Sequence, residues 1–464
     1  MDPVLGARVT SGITKERTGD VAMLRNVIGV IATVAALAAF TAIAAPDPGG
    51  GASAGAAHTA RAAGAASRSS GGWSADPPVP VGKVGFGVDI VGVGDGSMPT
   101  IDVGAVRLWD DATRWSTIEP QQDVYNWSTL DALVDGARSK GLPVLYTMGQ
   151  TPLWANPQGD PCKYSEPCTI EPPEDLSDWD DYVHRVVTRY KGRIEAYELW
   201  NEATHPGYYG GTVEQMRDMA RRAYQIIKSV DPSALVVSPS ATMLHRTEVR
   251  DWMRRFAELG GYTYADRVAV HLYTDGTDHA IVWPERAEDM VATARSVLAG
   301  RGVTKPIWDT ETTEEPEADP FPGTDRQAAD WVTRYFLMGL YNRLGRSYYY
   351  GWGEDGLGLK LQDAGREPTI AGHAVTQLVG WMKGASIRYC GHGTAYGLPP
   401  DMWQCGFAYQ TGEYAVIRWT GQGSVSYPTG PTTYEAERIG ASPQPVQPGQ
   451  SVQVTGTPVI IRYR

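Results

Sequence analysis

The sequence predicts a (β/α)8 TIM barrel, an α/β fold, followed by a small C-terminal antiparallel β-domain. Three observations carry this expectation. Between residues 85 and 350, eight short β-type runs alternate with amphipathic helical segments, the pattern of parallel strands joined by crossover helices. Two of those runs, Tyr197-Glu198-Leu199-Trp200-Asn201-Glu202 and Pro306-Ile307-Trp308-Asp309-Thr310-Glu311, end abruptly in a carboxylate. Beyond residue 384 the pattern changes to short alternating runs divided by Gly, Pro, Ser and Thr, which read as antiparallel strands.

The chain opens on a different kind of segment. Residues 26–45 carry no charge and follow Arg8, Lys15, Arg17 and Arg25, the pattern of an export signal. The apolar length lies between that of a cleaved signal and a membrane span of roughly 20 residues. Ala42-Ile43-Ala44 supplies small residues for a peptidase, so cleavage and retention as a membrane tether both stay open. Basic residues on the N-terminal side place the remainder outside the cytoplasm, either secreted or anchored on the outer face of the membrane. Residues 46–80, rich in Gly, Ala and Ser, read as a flexible linker with no part in chemistry. The barrel is then expected over 81–384 and the β-domain over 385–464.

Within the barrel the expected strands are 85–91, 105–109, 143–148, 196–200, 235–238, 268–272, 306–308 and 346–350. The expected helices are 127–139, 178–190, 212–230, 248–259, 286–299 and 325–343, with 369–383 closing the domain. Ser128 with Asp131, and Thr212 ahead of Glu214, are helix-start signals. In such a barrel, active groups gather at the carboxyl ends of the strands, which puts Glu202 and Glu311 after strands four and seven.

Composition narrows the partner. A net charge of −12 argues against nucleic acid, whose binding relies on Lys and Arg, and favours a neutral or weakly charged ligand. Fifteen Trp and 24 Tyr against six Phe suit sugar rings, which take an apolar face beside a polar edge; large barrels also carry such residues in loops. The four cysteines allow three pairings, and their short separations favour Cys162 with Cys168 and Cys390 with Cys405. An exported chain would keep such disulfides.

Two glutamates delivered by different strands are what glycoside cleavage needs. Around them, Trp115-Ser116-Thr117-Ile118-Glu119-Pro120 with Tyr125-Asn126-Trp127, then Thr151-Pro152-Leu153-Trp154-Ala155, then Glu198-Leu199-Trp200-Asn201-Glu202 occur in order. This ordered set resembles clan A glycoside hydrolases, most closely family 39, from about residue 85 to 352. The resemblance implies that Glu202 is the general acid/base and Glu311 the nucleophile, with Asp309, Glu314 and Glu315 as competing carboxylates. Asp309, two residues before Glu311, is expected on the same strand face, one layer deeper.

The resemblance further implies that Asn201 bonds the sugar 2-hydroxyl and that Arg107 keeps the nucleophile ionised, unless it pairs with Glu198 as scaffold. Tyr273 would bond the nucleophile and His271 line the sugar subsite, a core histidine being the alternative. Trp352 would be the aromatic platform beneath the sugar, or else rim packing. Trp154, Trp109 and His205 are further candidates for substrate contact. No metal or organic cofactor is implied. The loop 162–168 and the insert 316–323 match no specificity known for the family. The resulting expectation is an exported retaining glycosidase acting on an oligo- or polysaccharide; the alternative is a catalytically inactive barrel binding cell-envelope glycan.

Overall fold

The computed structural model describes residues 72–274, 281–314, 321–353 and 358–464. The expected signal or anchor, residues 46–71 of the linker, Glu315 and residues 316–320 of the insert lie outside the described residues. The end of the expected linker is corrected: β1 (Gly72–Pro80) is a strand, paired antiparallel with residues of the C-terminal domain from Ser386 to Gly391. It lies at a sheet edge, and its register breaks between Ser74 and Val79, where Pro77 and Pro78 have no N–H to give a ladder. Trp73 pins it, its indole N–H donating to the Tyr341 carbonyl at 2.7 Å.

The barrel strands are β2 (Phe86–Val91), β3 (Ala105–Asp110) and β4 (Val144–Thr147), then, after a short hairpin of β5 (Thr151–Pro152) and β6 (Cys168–Thr169), β7 (Ala196–Glu198), β8 (Leu235–Val237), β9 (Val268–His271), β10 (Ile307–Thr312) and β11 (Ser347–Gly353). All eight expected strands form. They run parallel in the order β8-β7-β4-β3-β2-β11-β10-β9, and bridges from Val237 to Arg267 and from Ala241 to Val270 join the two ends.

The helices are α1 (Trp115–Ile118), α2 (Ser128–Ser139), α3 (Leu176–Tyr190), α4 (Val213–Val230), α5 (Thr247–Glu258), α6 (Ala287–Ala299), α7 (Asp325–Tyr341) and α8 (Ile370–Met382). Thr212 caps α4 in a reciprocal box, but with Gln215 as its partner. Ser128 does not cap α2. Its N–H and hydroxyl both donate to Asn126, while Asp131 accepts from Tyr190 and pairs with Arg189 on α3.

Period-2 alternation fills the barrel in layers. The lower layer is apolar: Ala105, Leu145, Ala196, Val237, Ala269, Trp308 and Tyr348 form one buried cluster. Two residues further along the same strands come Arg107, Thr147, Glu198, His271 and Thr310, all buried. The apolar floor therefore carries a polar layer, and the site is built on that layer.

The C-terminal domain comprises β12 (Ala385–His392), β13 (Met402–Tyr409), β14 (Tyr414–Thr420), β15 (Ser424–Pro428), β16 (Thr433–Arg438), β17 (Gln444–Pro445), β18 (Ser451–Thr455) and β19 (Val459–Tyr463). Its main sheet, β1-β12-β13-β14-β19-β16-β17, is antiparallel. Cys390 and Cys405 face each other across β12 and β13 and are disulfide-bonded. The domain packs on the barrel through Glu285, which accepts from Trp419 of β14 and from Arg334 of α7, both at 2.8 Å.

Candidate active site

Arg107 is the centre of the polar layer. Fully buried, it donates from Nε to Glu198 at 2.8 Å, from Nη1 to Glu311 at 2.8 Å and Asp89 at 3.3 Å, and from Nη2 to the Asn201 side chain at 2.7 Å. The two expected partners of Arg107 are met at once, since one guanidinium reaches both Glu198 and Glu311. Its planar fork suits this, because its donors leave in fixed directions. Thr147 and Thr310 fill the remaining acceptor capacity of Glu198 at 3.0 and 3.3 Å. Asp89, two residues beyond Gly87, was missed in the sequence; an acid inside the run Phe-Gly-Val-Asp-Ile-Val was the available signal. Burial pushes its carboxyl well up, against the pull of Arg107.

Glu202 stands just past β7 with φ 47°, a left-handed conformation that non-glycine residues adopt rarely and at a cost of order 1–3 kcal/mol. Ser240 holds it there: its hydroxyl accepts from the Glu202 N–H at 2.9 Å. His271 Nδ1 lies 3.0 Å from Glu202 Oε1. Burial pushes the Glu202 carboxyl up, but the hydrogen bond and charge of His271 outweigh it and bring the carboxyl below its ordinary value. Conversely, His271 is raised: burial lowers it, and Glu311 and Glu202 more than compensate. In the free protein the pair's proton therefore sits on the imidazole side. His271 has no exposed surface, so it lines no subsite directly and acts on the carboxylates instead.

Glu311 enters the site through an irregularity. The register of β10 against β9 shifts between Asp309 and Glu311, and against β11 between Asp309 and Thr312. The slip puts successive residues inside: Thr310 reaches Glu198 and Glu311 reaches Arg107. Asp309 is thereby separated from the site, contrary to the expected shared face. Its carboxylate accepts from Tyr335 of α7 at 2.9 Å and from Thr312 at 2.8 Å, and burial pushes it up to about 7. Tyr273 donates to Glu311 Oε1 at 2.7 Å, the contact the resemblance implied. Burial and the Glu311 charge push its phenol well up, keeping it a donor.

Glu202, His271 and Glu311 offer ligand atoms that all lie within 4.8 Å of one another. Such a trio can hold a cation. Here Arg107 already sets its charge 2.8 Å from Glu311, and a raised His271 favours a proton over a metal ion.

The aromatic candidates fare unevenly. Trp352 is 1% exposed and sits in the main apolar core, donating to Gln362 at 2.9 Å. A stacking platform needs a bare face, so this role is corrected. The cause is again a register slip, in β11 between Tyr349 and Trp352. Tyr350 is the strand-eight residue turned toward the site, donating to Asp110 at 2.9 Å. Trp154 packs edge-on against Trp115 at 6.1 Å and donates to the Glu119 carbonyl, which ties it to the framework beneath the loops. Trp109 is buried and donates to Tyr164 at 3.1 Å. His205 accepts the Gly207 N–H at 2.9 Å and meets Tyr208 edge-on. Cys162 and Cys168 are disulfide-bonded, as expected.

Residues 106–236 match the family described as Glycosyl hydrolase family 10, a stretch that includes Arg107, Asn201 and Glu202 and stops before Glu311. Endo-1,4-beta-xylanase 5 of Arabidopsis thaliana is 28% identical over 148 residues, covering 31% of this chain and 24% of the relative, so the chain spans about a quarter of that protein's length. Three solved structures share the fold at low identity. A family 39 glycoside hydrolase from the gut symbiont Bacteroides cellulosilyticus WH2 superposes with a TM-score of 0.60 at 16% identity, covering 84% of this chain and 82% of that one. A monomeric beta-xylosidase from Caulobacter crescentus CB15 gives 0.55 at 14%, covering 84% and 97%. The catalytic domain of xylanase C from Talaromyces cellulolyticus, of family 30, gives 0.56 at 14%, covering 84% and 98%. The barrel and the order of its motifs are similar to those of clan A glycoside hydrolases, and the family match covers residues 106–236 of this chain.

Proposed function

We propose that the protein is an exported, retaining glycosidase that cleaves an oligo- or polysaccharide by double displacement. The observation that carries this reading is the closeness of the two glutamates. One oxygen of Glu202 and one of Glu311 lie within 4.8 Å, in keeping with the roughly 5–5.5 Å of retaining enzymes and short of the 6.5–9.5 Å that leaves room for an inverting water. Glu311, fixed by Arg107 and Tyr273, attacks the anomeric carbon. The glycosidic C–O bond breaks as Glu202 gives its proton to the departing oxygen, leaving a glycosyl ester on Glu311. Water then attacks the same carbon, Glu202 takes its proton, and Glu311 is released.

His271 serves this cycle as a proton partner. Across 3.0 Å it shares the proton that Glu202 must carry when negative charge develops on the leaving oxygen. Asn201, held by Arg107 at 2.7 Å, keeps its side-chain N–H2 free to donate to the sugar. A binder with no chemistry has no use for a strained, His-linked glutamate opposite an Arg- and Tyr-clamped one. Both disulfides support export, since they persist outside the reducing cytosol.

The test is hydrolysis of a panel of oligosaccharides by the protein, followed by NMR, with xylo-oligosaccharides first because the curated relative is named a xylanase. The expected first product keeps the substrate's anomeric configuration, and a 2-deoxy-2-fluoro glycoside labels the peptide carrying Glu311. Product of opposite configuration, or label on another carboxylate, refutes the mechanism.

A further inference from the structure

The loop closed by the Cys162–Cys168 disulfide is built into the mouth of the site. Tyr164, within it, accepts from the Trp109 indole at 3.1 Å and lies under the Arg114 guanidinium, 3.7 Å from its ring centroid. Arg114 is fixed in turn by Glu166 of the same loop at 2.6 Å and by Asp110 at 3.2 Å. Lys163 donates to the Tyr208 hydroxyl and lies 3.9 Å from the centre of that ring.

Tyr208 belongs to the segment that leaves Glu202. The His205 N–H bonds the Glu202 carbonyl at 2.8 Å and the Tyr208 N–H bonds the His205 carbonyl at 3.0 Å. The loop and the acid/base segment thus meet, Tyr164 and Tyr208 touching edge to face at 6.4 Å.

The hydrogen bonds of the two phenols determine what this wall offers. Each phenol oxygen accepts, one from an indole N–H and one from an ammonium, and neither of those donors can accept in return. Each phenol therefore keeps its own proton for another acceptor. Burial, reinforced by Asp110 and Glu311 at Tyr164 and by Glu202 and Glu311 at Tyr208, pushes both phenols well up, so they stay protonated.

We propose that the disulfide-closed loop 162–168 is the specificity-determining wall of the sugar site, with Tyr164 and Tyr208 donating to an oxygen of the glycan. That oxygen is a hydroxyl of a neutral sugar or the carboxylate of a uronate. The Cys162–Cys168 disulfide and Arg114 hold Tyr164 in place. The proposal rests on the glycosidase reading and assigns the loop its place in it.

The experiment titrates Glu311→Gln protein calorimetrically with neutral pentose and hexose oligosaccharides and with their uronate counterparts. Tyr164→Phe and Tyr208→Phe, each in that background and titrated well below its thermal midpoint, are expected to weaken binding about five- to tenfold, the loss of one hydrogen bond to the ligand. Removing both loop cysteines as Cys162→Ser with Cys168→Ser weakens it further. Lys163→Met weakens binding of the uronate ligands alone if the acceptor is a carboxylate, and leaves the neutral ligands as the tight binders if it is a hydroxyl. Parent-like affinity in both Phe variants overturns the proposal, as does a Glu311→Gln protein that binds no oligosaccharide. Tight, Tyr164-dependent binding of glycans that the unmutated protein never hydrolyses refutes the glycosidase reading and leaves the wall standing.

Discussion

Asp309→Asn separates the neighbouring carboxyl from Glu311, the proposed nucleophile, by its pH signature. Asp309 is fully buried between Thr312 and Tyr335, and burial raises it from an ordinary 3.8 to about 7. The sign follows from linkage: a carboxyl raised in the folded state adds stability below its unfolded value and loses that stability as pH climbs through the folded one. At about 1.4 kcal/mol for each pH unit between 3.8 and about 7, the loss reaches about 4 kcal/mol. Asparagine resembles the neutral acid and cannot ionise. Relative to the unmutated protein, the variant should therefore gain about 4 kcal/mol between pH 4 and pH 8, whatever constant cost the substitution itself carries. Urea unfolding at a series of pH values measures this difference. Curves that stay parallel to within about 1 kcal/mol across the range refute the assignment of Asp309 as a buried, neutral carboxyl. Turnover adds a second readout, because Asp309→Asn should fall less than tenfold where Glu311→Gln falls by orders of magnitude.

Arg107→Met leaves Glu198, Glu311 and Asp89 without their shared cation, and the expected loss is about 3–5 kcal/mol of stability, read by urea unfolding, with kcat down at least a hundredfold. His271→Asn removes the partner that lowers Glu202; burial then dominates, and an infrared carboxyl titration should show Glu202 moving above its ordinary value. Stability should also report the pair in the unmutated protein. A lowered Glu202 stabilises above about 4.5 and a raised His271 below about 6.5, so their combined contribution is greatest between those values and fades on either side; thermal midpoints across pH check this. Thr212→Ala removes the capping box of α4 and should cost about 1 kcal/mol by urea unfolding.

What was legible in the sequence follows from periodicity. The eight strands appear where β-branched runs alternate with helical segments, and Arg107, Glu198 and His271 lie at inward positions because regular strands alternate. The misplacements occur where that period breaks. Asp309 and Glu311 are expected on one face if the strand is unbroken, and the resemblance puts Trp352 under the sugar; register slips in β10 and β11 undo both. Such slips leave no compositional mark here, since Thr310 and Thr312 look like ordinary strand residues. The segment 72–80 was hidden for another reason. With Pro77, Pro78 and Pro80 it reads as linker, and only its place at a sheet edge makes those prolines tolerable.

The slip in β10 also explains why the two glutamates differ although each stands at a strand end. Glu202 is carried beyond β7 in a left-handed turn, where its nearest charged partner is an imidazole that can give up or receive a proton. Glu311 stays within β10, clamped between a guanidinium and a phenol. A guanidinium stays charged at any working pH, and the raised phenol stays a donor, so Glu311 faces one fixed cation and one hydrogen-bond donor. Glu202 instead faces an imidazole that can exchange a proton with it. The proposed division of the pair into an acid and a nucleophile rests on that asymmetry, which is produced by where each strand's regular pleat ends.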